Sequence, residues 1–236
     1  MHMLNVRIYR IKPRFHACVE NVLETKGEKV YEKVDESLLC LVIEDSRRND
    51  YGLLSKISLD YVIYVQSRIR GQYPVITYEN GEVQVYNKPP IEGLLAVFGK
   101  RRLQKSFFIA IAKICKATAL ELVAFDIDRK FELLKNNFHD FRRLYVKKIT
   151  RHSFLQDVAL GGVRLELSDE IDRYTRRLGG RITTAAFMFE GKWTLVSSDG
   201  RIYSPSKYAY KFKEEYVYKL LKKLSELNLI IYETTF

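Results

Sequence analysis

The sequence has 236 residues, of which 47% are hydrophobic and 29% charged, and its formal net charge is +11. This length is enough for one large domain or two modest ones, and the composition excludes a chain that is disordered throughout. We predict no transmembrane segment, because Lys113, Lys116 and Glu121 interrupt the most apolar stretch, residues 106–125.

The positive charge is unevenly distributed along the sequence. Residues 1–100 contain 14 Lys and Arg against 13 Asp and Glu, whereas residues 101–236 contain 26 against 16. A field concentrated in one part of a molecule favours a polyanionic partner, such as nucleic acid, anionic lipid or an acidic protein. The alternative is a basic surface that contacts only water. Of these, nucleic acid is the partner that we weigh most heavily.

The cysteine pattern and the N-terminus indicate an intracellular protein. Cys18, Cys40 and Cys115 are odd in number, widely spaced and in apolar neighbourhoods, which predicts small buried side chains in a reducing compartment. The N-terminus has no secretory pattern, because Arg7 and Arg10 interrupt any apolar region. We therefore expect a cytoplasmic protein without a membrane partner. The abundance of Lys, Glu, Arg, Tyr and Ile also suits a thermophile.

The N-terminal part is predicted to be rich in strands. Its elements in chain order are a strand at Leu4–Ile11, a helix from Pro13 to Thr25, strands at Glu28–Val34 and Leu38–Glu44, a polar loop at Ser46–Ser58 and a strand at Leu59–Ser67. The continuous apolar run in Leu38–Glu44 predicts a central strand that is buried on both faces.

Two local signals follow. Asn80-Gly81 predicts a hairpin between strands Val75–Glu79 and Glu82–Tyr86, because a type I′ turn needs positive φ at both central residues. Pro89-Pro90 then prevents a ladder or helix from continuing. We place a subdomain boundary there, which gives a near-neutral N-terminal α+β subdomain, residues 1–89, and a basic C-terminal α+β subdomain, residues 90–236.

The C-terminal part mixes helices with a meander. The predicted elements are helices at Ile91–Phe98 and Leu103–Ala117, a strand at Ala119–Phe125, a helix at Arg129–Lys148, a strand at Arg164–Leu167, a helix from Ser168 to Gly179-Gly180, meander strands at Thr184–Phe189, Lys192–Ser197 and Arg201–Tyr203, a helix at Phe212–Leu227 and a strand at Leu229–Glu233. The predicted fold class is α+β, with antiparallel hairpins and meanders and with helices packed on one side.

The first candidate site is the basic and aromatic region 129–151. Phosphate binding needs exposed cations on a rigid support, and an amphipathic helix would provide one. The cations that we select are Arg142, Arg143, Lys147, Lys148 and Arg151. The alternative is an ordinary amphipathic helix with a solvated face. We assign the aromatic residues of this region to the core rather than to base stacking.

The second candidate is an arginine cluster that contains Arg173, Arg176, Arg177 and Arg181. Arg173, Arg176 and Arg177 share one side of the predicted helix, and arginine forks suit phosphate oxygens. The acidic residues of segment 169–172 could instead pair with these arginines and neutralise them. The sequence leaves both interpretations open.

The third candidate is the acidic pair Asp126 and Asp128 at the end of a predicted strand. Alternating carboxylates can hold a divalent metal for phosphoryl transfer. The segment 122–128 resembles the nucleophile motif of haloacid-dehalogenase-like phosphatases, although that family normally continues with Gly-Thr where this chain has Arg129-Lys130.

The same acidic pair is similar to the metal-binding motif of archaeo-eukaryotic primases. In that family a small-x-His motif should follow, and Thr150-Arg151-His152 is a closely spaced counterpart. We favour a simpler interpretation, in which Asp126 and Asp128 cap the strand and open the next helix, where the helix macrodipole favours acids.

These observations lead to three functional hypotheses. The first is a non-catalytic nucleic-acid-binding protein that contacts the backbone through its basic C-terminal surface, while the N-terminal part serves as a scaffold or contacts a protein. The alternatives are a metal-dependent nuclease or nucleotidyltransferase that uses Asp126 and Asp128, and an assembly subunit that binds an acidic protein. We predict no cofactor and no histidine or cysteine metal site, because no such motif occurs.

Overall fold

The structure is a computed structural model and describes residues 3–68, 71–151 and 155–233. Helices make up 29% of the chain and strands 47%, so the predicted α+β class is confirmed. The residues form two compact units, Val6–Glu121, here called the first unit, and Met1–Asn5 with Leu122–Phe236, here called the second unit. Within the described ranges, no helix is both long enough and apolar enough to cross a membrane.

The first unit is an antiparallel sheet with two helices. Its strands are β1 (Leu4–Ile11, beginning in the second unit), β2 (Gly27–Val34), β3 (Ser37–Asn49), β4 (Gly52–Ser67), β5 (Gly71–Tyr86) and β6 (Leu94–Phe98). They pair in the order β2-β3-β4-β5-β6-β1. A 3-10 turn at Pro13–Phe15 leads into α1 (His16–Glu24), and α2 (Arg101–Ile114) follows β6.

Both helices pack on the same face of this sheet. The Ser55 hydroxyl donates to the Leu23 carbonyl of α1 at 2.9 Å. Ile57 lies two residues further along β4, and its partner Gly81 lies under Leu103 of α2. Because residues two apart on a strand share a face, α1 and α2 cover one side, as predicted.

The predicted Asn80-Gly81 hairpin turn is wrong. Asn80 and Gly81 lie inside β5, which pairs with β4 over its whole length. A Cβ at Gly81 would lie 2.2 Å from Leu103 Cδ2 and 2.6 Å from the Phe98 carbonyl oxygen. Glycine is therefore required here because α2 and β6 approach the strand closely. Glycine inside a strand often marks such a close approach rather than a turn.

Three further predictions for the first unit are wrong. Segment 46–58 is not a loop, because β3 and β4 continue through it, and its serines Ser46 and Ser55 bond the C-terminal end of α1. β3 is not buried on both faces, since Leu38 is 53% exposed while its neighbour Leu39 is buried. Residues 94–98 form the buried strand β6 rather than a helix, because a short continuous apolar run has no diagnostic period.

The cysteine prediction is wrong for two of the three residues. Cys18 and Cys115 form a disulfide that joins α1 to the residue following α2, with 97 residues of sequence separation. Cys40 is free and half-buried, and burial, followed by Asp60 and Glu28, raises the pKa of its thiol. Spacing along the sequence could not show that two distant cysteines meet. The cysteines therefore no longer support a reducing compartment, and the cytoplasmic location stays a prediction.

The second unit contains the remaining elements. They are β7 (Leu120–Phe125, beginning in the first unit), α3 (Phe131–Asn137), β8 (His139–Lys147), β9 (Val158–Gly161), α4 (Asp169–Asp172), β10 (Arg181–Phe189), β11 (Lys192–Ser197), β12 (Arg201–Ser204), α5 (Lys207–Lys211), α6 (Lys213–Glu226) and β13 (Ile230–Glu233). The strands pair antiparallel in the order β12-β11-β10-β8-β9, and β13 pairs with β7. The predicted meander, final helix and last strand are confirmed.

The predicted Arg129–Lys148 helix is wrong beyond residue 137. The chain forms the short helix α3 and then β8, which pairs with β9 and β10. Its apolar residues still enter the core, where Phe138 lies 4.3 Å and Phe141 5.4 Å from the Phe187 ring. The assignment of these rings to the core is confirmed, but Tyr145 is half-exposed. Pairing with distant strands has overridden a local helical spacing.

The segment before β10 also differs from expectation. Residues 165–167 form a 3-10 turn rather than a strand. Ser168 caps α4 as predicted, since its hydroxyl accepts the Glu170 N–H, and the chain continues as a π-helical turn at Arg173–Arg177.

Net charge is divided almost evenly between the units. The first unit has 19 Lys and Arg against 14 Asp and Glu, and the second has 21 against 15, so their net charges are +5 and +6. The sequence asymmetry about residue 100 therefore does not coincide with the division between the units. The predicted division at residue 89 falls inside the first unit, and the subdomains 1–89 and 90–236 stay a prediction.

Candidate functional site

The sheet of the second unit has a covered face and an open one. On the covered face, the Thr194 hydroxyl forms a hydrogen bond with the Tyr216 hydroxyl of α6, and Phe187 and Val196 are buried. Because successive residues of a strand point to opposite faces, their neighbours lie on the other side. We call that side the outer face, and it carries Arg143, Tyr145 and Lys147 of β8, Thr184 and Ala186 of β10, Trp193 and Leu195 of β11, and Tyr203 of β12.

A row of small and large residues crosses the outer face. Arg143 lies opposite Gly161 on one side and Ala186 on the other, and the row continues through Leu195 to Tyr203. At a usual strand spacing this row is about 19 Å long. The small neighbours of Arg143 leave a groove of ≈ 430 Å³, which Trp193 also borders.

A bulge brings Arg142 to the same groove. The β8–β10 register shifts between Ala186 and Met188, and Asp140 has a positive φ of 56° within the bulged part of β8. Bulges redirect side chains, and here the Arg142 guanidinium carbon lies 4.4 Å from the centroid of the Trp193 ring. The Arg142 Nη2 atom also lies 3.4 Å from Asp140 Oδ2. Arg142 therefore lies against an aromatic ring while 51% of its side chain stays exposed.

A cluster of cations lies at one end of the outer face. Lys147 is directly opposite Arg181 in the β8–β10 ladder. Arg151 Nη1 lies 3.5 Å from the Arg177 carbonyl oxygen, so the segment after β8 reaches the end of the π-helical turn Arg173–Arg177. Within residues 3–68, 71–151 and 155–233, the following exposed side chains form no ion pair: Arg143, Lys147, Lys148, Arg151, Arg177 and Arg181. We call these six residues the unpaired cations.

The arginines of the helical segment are more neutralised. Arg173 pairs with Glu170 at 3.3 Å, and Arg176 pairs with Asp172 at 3.5 Å. Of the two interpretations left open by the sequence, local pairing describes Arg173 and Arg176, whereas Arg177 remains among the unpaired cations. Exposed ion pairs of this kind contribute about 0–1 kcal/mol, so a polyanion can displace them.

The Asp128 carboxylate and the Asp126 backbone each make a bond within the fold. Asp128 Oδ1 accepts the Ile182 N–H at 2.8 Å, which fixes the start of β10 to the turn after β7, and the Asp126 N–H donates to the Leu229 carbonyl at 2.8 Å. In the part of the chain that the structure describes, no group of three His, Cys, Asp or Glu side chains is arranged to hold a metal ion. His152, from the primase-like pattern, lies outside the described residues.

Sequence reasoning missed the aromatic part of the outer face. The meander strand Lys192–Ser197 was predicted, and its alternation puts Trp193 and Leu195 on one face and Thr194 and Val196 on the other. That alternation was a usable signal for Trp193. Only the pairing of distant strands, however, brings this ring to Arg142 and Arg143.

The comparisons with known proteins found no relative: no protein-family model matches the chain, and no curated protein matches it.

Proposed function

We propose that this protein binds nucleic acid without catalysing a reaction on it, through the outer face of the second unit and the adjoining unpaired cations. One observation carries the proposal: exposed Lys and Arg side chains without carboxylate partners adjoin an open antiparallel sheet face that bears aromatic rings. Phosphate oxygens attract such cations, and the release of condensed counterions supplies much of the affinity.

The residues have different roles in this proposal. Arg143, Lys147, Lys148, Arg151 and Arg177 contact phosphates directly, together with Arg181, because no carboxylate has to be displaced. Arg173 and Arg176 contribute less, since each must first leave its acidic neighbour. Arg142 acts with Trp193 rather than with a phosphate.

The test is the salt dependence of binding. Anisotropy of labelled single- and double-stranded DNA and RNA, measured between about 50 and 200 mM salt, gives the slope of log Kobs against log salt. Replacing Arg143, Lys147 and Arg181 together by Ala is expected to reduce the slope by about 2 units on single strands and almost 3 on duplex.

A matched control removes three other charges. Lys26, Lys33 and Lys88 are exposed residues of the first unit, and their triple Ala variant changes the net charge by the same amount. The control should keep the wild-type slope. An unchanged slope in the outer-face variant would remove these residues from the interface. A wild-type protein that binds none of the four probes, but retains an acidic protein after nuclease treatment, would replace the proposal with the assembly hypothesis.

A further inference from the structure

We infer that the outer face binds a single strand of DNA or RNA more tightly than a duplex, with one unstacked base of the single strand held in the groove beside Trp193. This inference rests on the proposed function and adds the kind of nucleic acid and the base-binding residue. It comes from the juxtaposition of a ring, a guanidinium group and a groove floor of small residues.

The floor of the groove can accept a flat ring. Gly161, Gly162 and Ala186 have no side chain beyond Cβ, and they line the groove of ≈ 430 Å³ together with Trp193 and Arg143. An ideal Cβ added at Gly161 would meet no atom within 4 Å, so the space above this residue is open. The open space above Gly161 therefore leaves room for a planar base, whereas a Cβ at Gly162 would already lie 3.1 Å from Leu165 Cδ2.

The walls of the groove include surfaces on which a base can stack. Arg142 already covers the Trp193 ring at 4.4 Å, and both indole rings and guanidinium planes are surfaces on which unstacked bases lie. Tyr203 also lines the groove, and its hydroxyl contacts the Met3 sulfur. Trp193 with Arg142 is thus the stacking position.

The phosphate positions lie beside the base position. Arg143 lines the groove, and Lys147 is four residues further along β8, about 13 Å away on the same face. Lys147 lies opposite Arg181. A strand whose base enters the groove would therefore run its backbone from Arg143 towards the other unpaired cations.

A duplex cannot use both parts of this surface. Its bases are paired and stacked, so their faces are not available to a ring that lies on a sheet, whereas single strands offer them. We expect a duplex to bind only through the unpaired cations.

The sole tryptophan of the chain provides a direct readout. Trp193 is the only tryptophan in the sequence, so fluorescence excited at wavelengths that the 16 tyrosines do not absorb reports on this groove. Oligothymidylate and oligouridylate should quench the emission in a saturable way, and a duplex of equal length should bind without comparable quenching. The DNA and RNA arms separate the two possible sources of the single strand.

Variants complete the test, with binding followed by anisotropy of labelled probes. Trp193→Ala should weaken single-strand binding about tenfold, the usual contribution of one stacked base, and should change duplex binding less than about twofold. Trp193→Phe should restore most of the affinity. Tyr64→Ala is the matched control, because Tyr64 is an exposed aromatic residue on a strand of the first unit.

The two proposals fail in different ways. Equal losses on single strand and duplex in Trp193→Ala, or no loss on either, would overturn the inference and leave nucleic-acid binding intact. Absence of any binding by the wild-type protein would overturn the proposed function itself. If Trp193→Ala does not fold, the wild-type fluorescence decides, since equal quenching by duplex and single strand contradicts a base-stacking groove.

Discussion

The two units of this chain carry almost the same net charge but arrange it differently. In the first unit, α1 and α2 cover a sheet face and a disulfide joins Cys18 to Cys115. In the second unit, an open sheet face brings unpaired cations next to Trp193. Net charge alone therefore does not show where a binding surface lies. What matters is where cations lie relative to carboxylates and rings, and we therefore expect the first unit to govern stability and the second to govern binding.

The largest expected effect is the loss of stability when the disulfide of the first unit is removed. Replacing Cys18 and Cys115 by Ser removes a bond that spans 97 residues of sequence. The unfolded chain regains conformational entropy, which predicts a stability decrease of about 4–5 kcal/mol. Denaturant unfolding with and without reductant measures it. Cys40→Ser, which removes a free thiol, is the control and should change stability little. Equal stability of the reduced and oxidised proteins would contradict this prediction.

The next largest effect is the loss of single-strand affinity when the groove of the second unit is filled. Gly161→Leu adds a side chain into open space beside Arg143, so we expect single-strand affinity to fall several-fold while the folded state is unaffected. A Cβ at Gly71 would also meet no atom within 4 Å, but Gly71 has a positive φ of 67°. A leucine there would strain the backbone, so Gly161 is the better site for this substitution. Titration of single-stranded and duplex probes, with thermal unfolding alongside, gives the result. A parallel loss on duplex would argue against the groove.

A smaller effect separates paired from unpaired cations within the second unit. Arg173→Ala with Arg176→Ala should reduce the salt slope by less than one unit, because these side chains already pair with Glu170 and Asp172. Glu170→Gln with Asp172→Asn should free Arg173, leave Arg176 with only Glu132 at 3.9 Å, and raise affinity a few-fold. Should the arginine variant lower the slope as much as the outer-face triple variant, pairing would not decide the contribution of a cation.

The smallest effect concerns the covered face. Burial raises the pKa of Tyr216 to about 12, despite hydrogen bonds from Thr194 and Ser204 that act in the opposite direction. Since the unfolded tyrosine ionises near 10, the unfolded state loses this proton first, and stability falls as the pH rises from about 10 to 12. Tyr31 in the first unit has a pKa raised to about 12 as well, chiefly by burial.

The substitution Tyr216→Phe tests the assignment of this pH dependence. The variant should lose stability less steeply than the wild type over this range, and unfolding at several alkaline pH values compares the two. Tyr31→Phe provides the corresponding measurement for the first unit. Identical pH profiles in the wild type and in Tyr216→Phe would mean that the Tyr216 hydroxyl is not held in its neutral form.

The sequence predicted elements whose signal is local, and it failed where distant parts of the chain decide. The meander, α2 and α6 follow from alternation and helical spacing within one segment. The spacing of Phe131, Phe138 and Phe141 suited a helix equally well, but pairing with β10 turned its second half into a strand. Asn80-Gly81 carried a strong turn signal, yet Leu103 of α2 determines its conformation.

The candidate site shows the same limit. Arg143 and Lys147 were selected from the sequence, because cations that alternate with apolar residues are visible within a single segment. The element that carries them was predicted as a helix and is the strand β8. Strand register places Lys147 opposite Arg181, and a bulge brings Arg142 onto the Trp193 ring. Neither the register nor the bulge is visible in the sequence.

The bond between Cys18 and Cys115 turns most of the first unit into a covalent ring. A protease that cuts once inside this ring therefore releases no fragment until a reductant is added. After limited proteolysis, a gel run without reductant would show one band and a gel run with reductant would show two, even where the cut protein has lost its native structure.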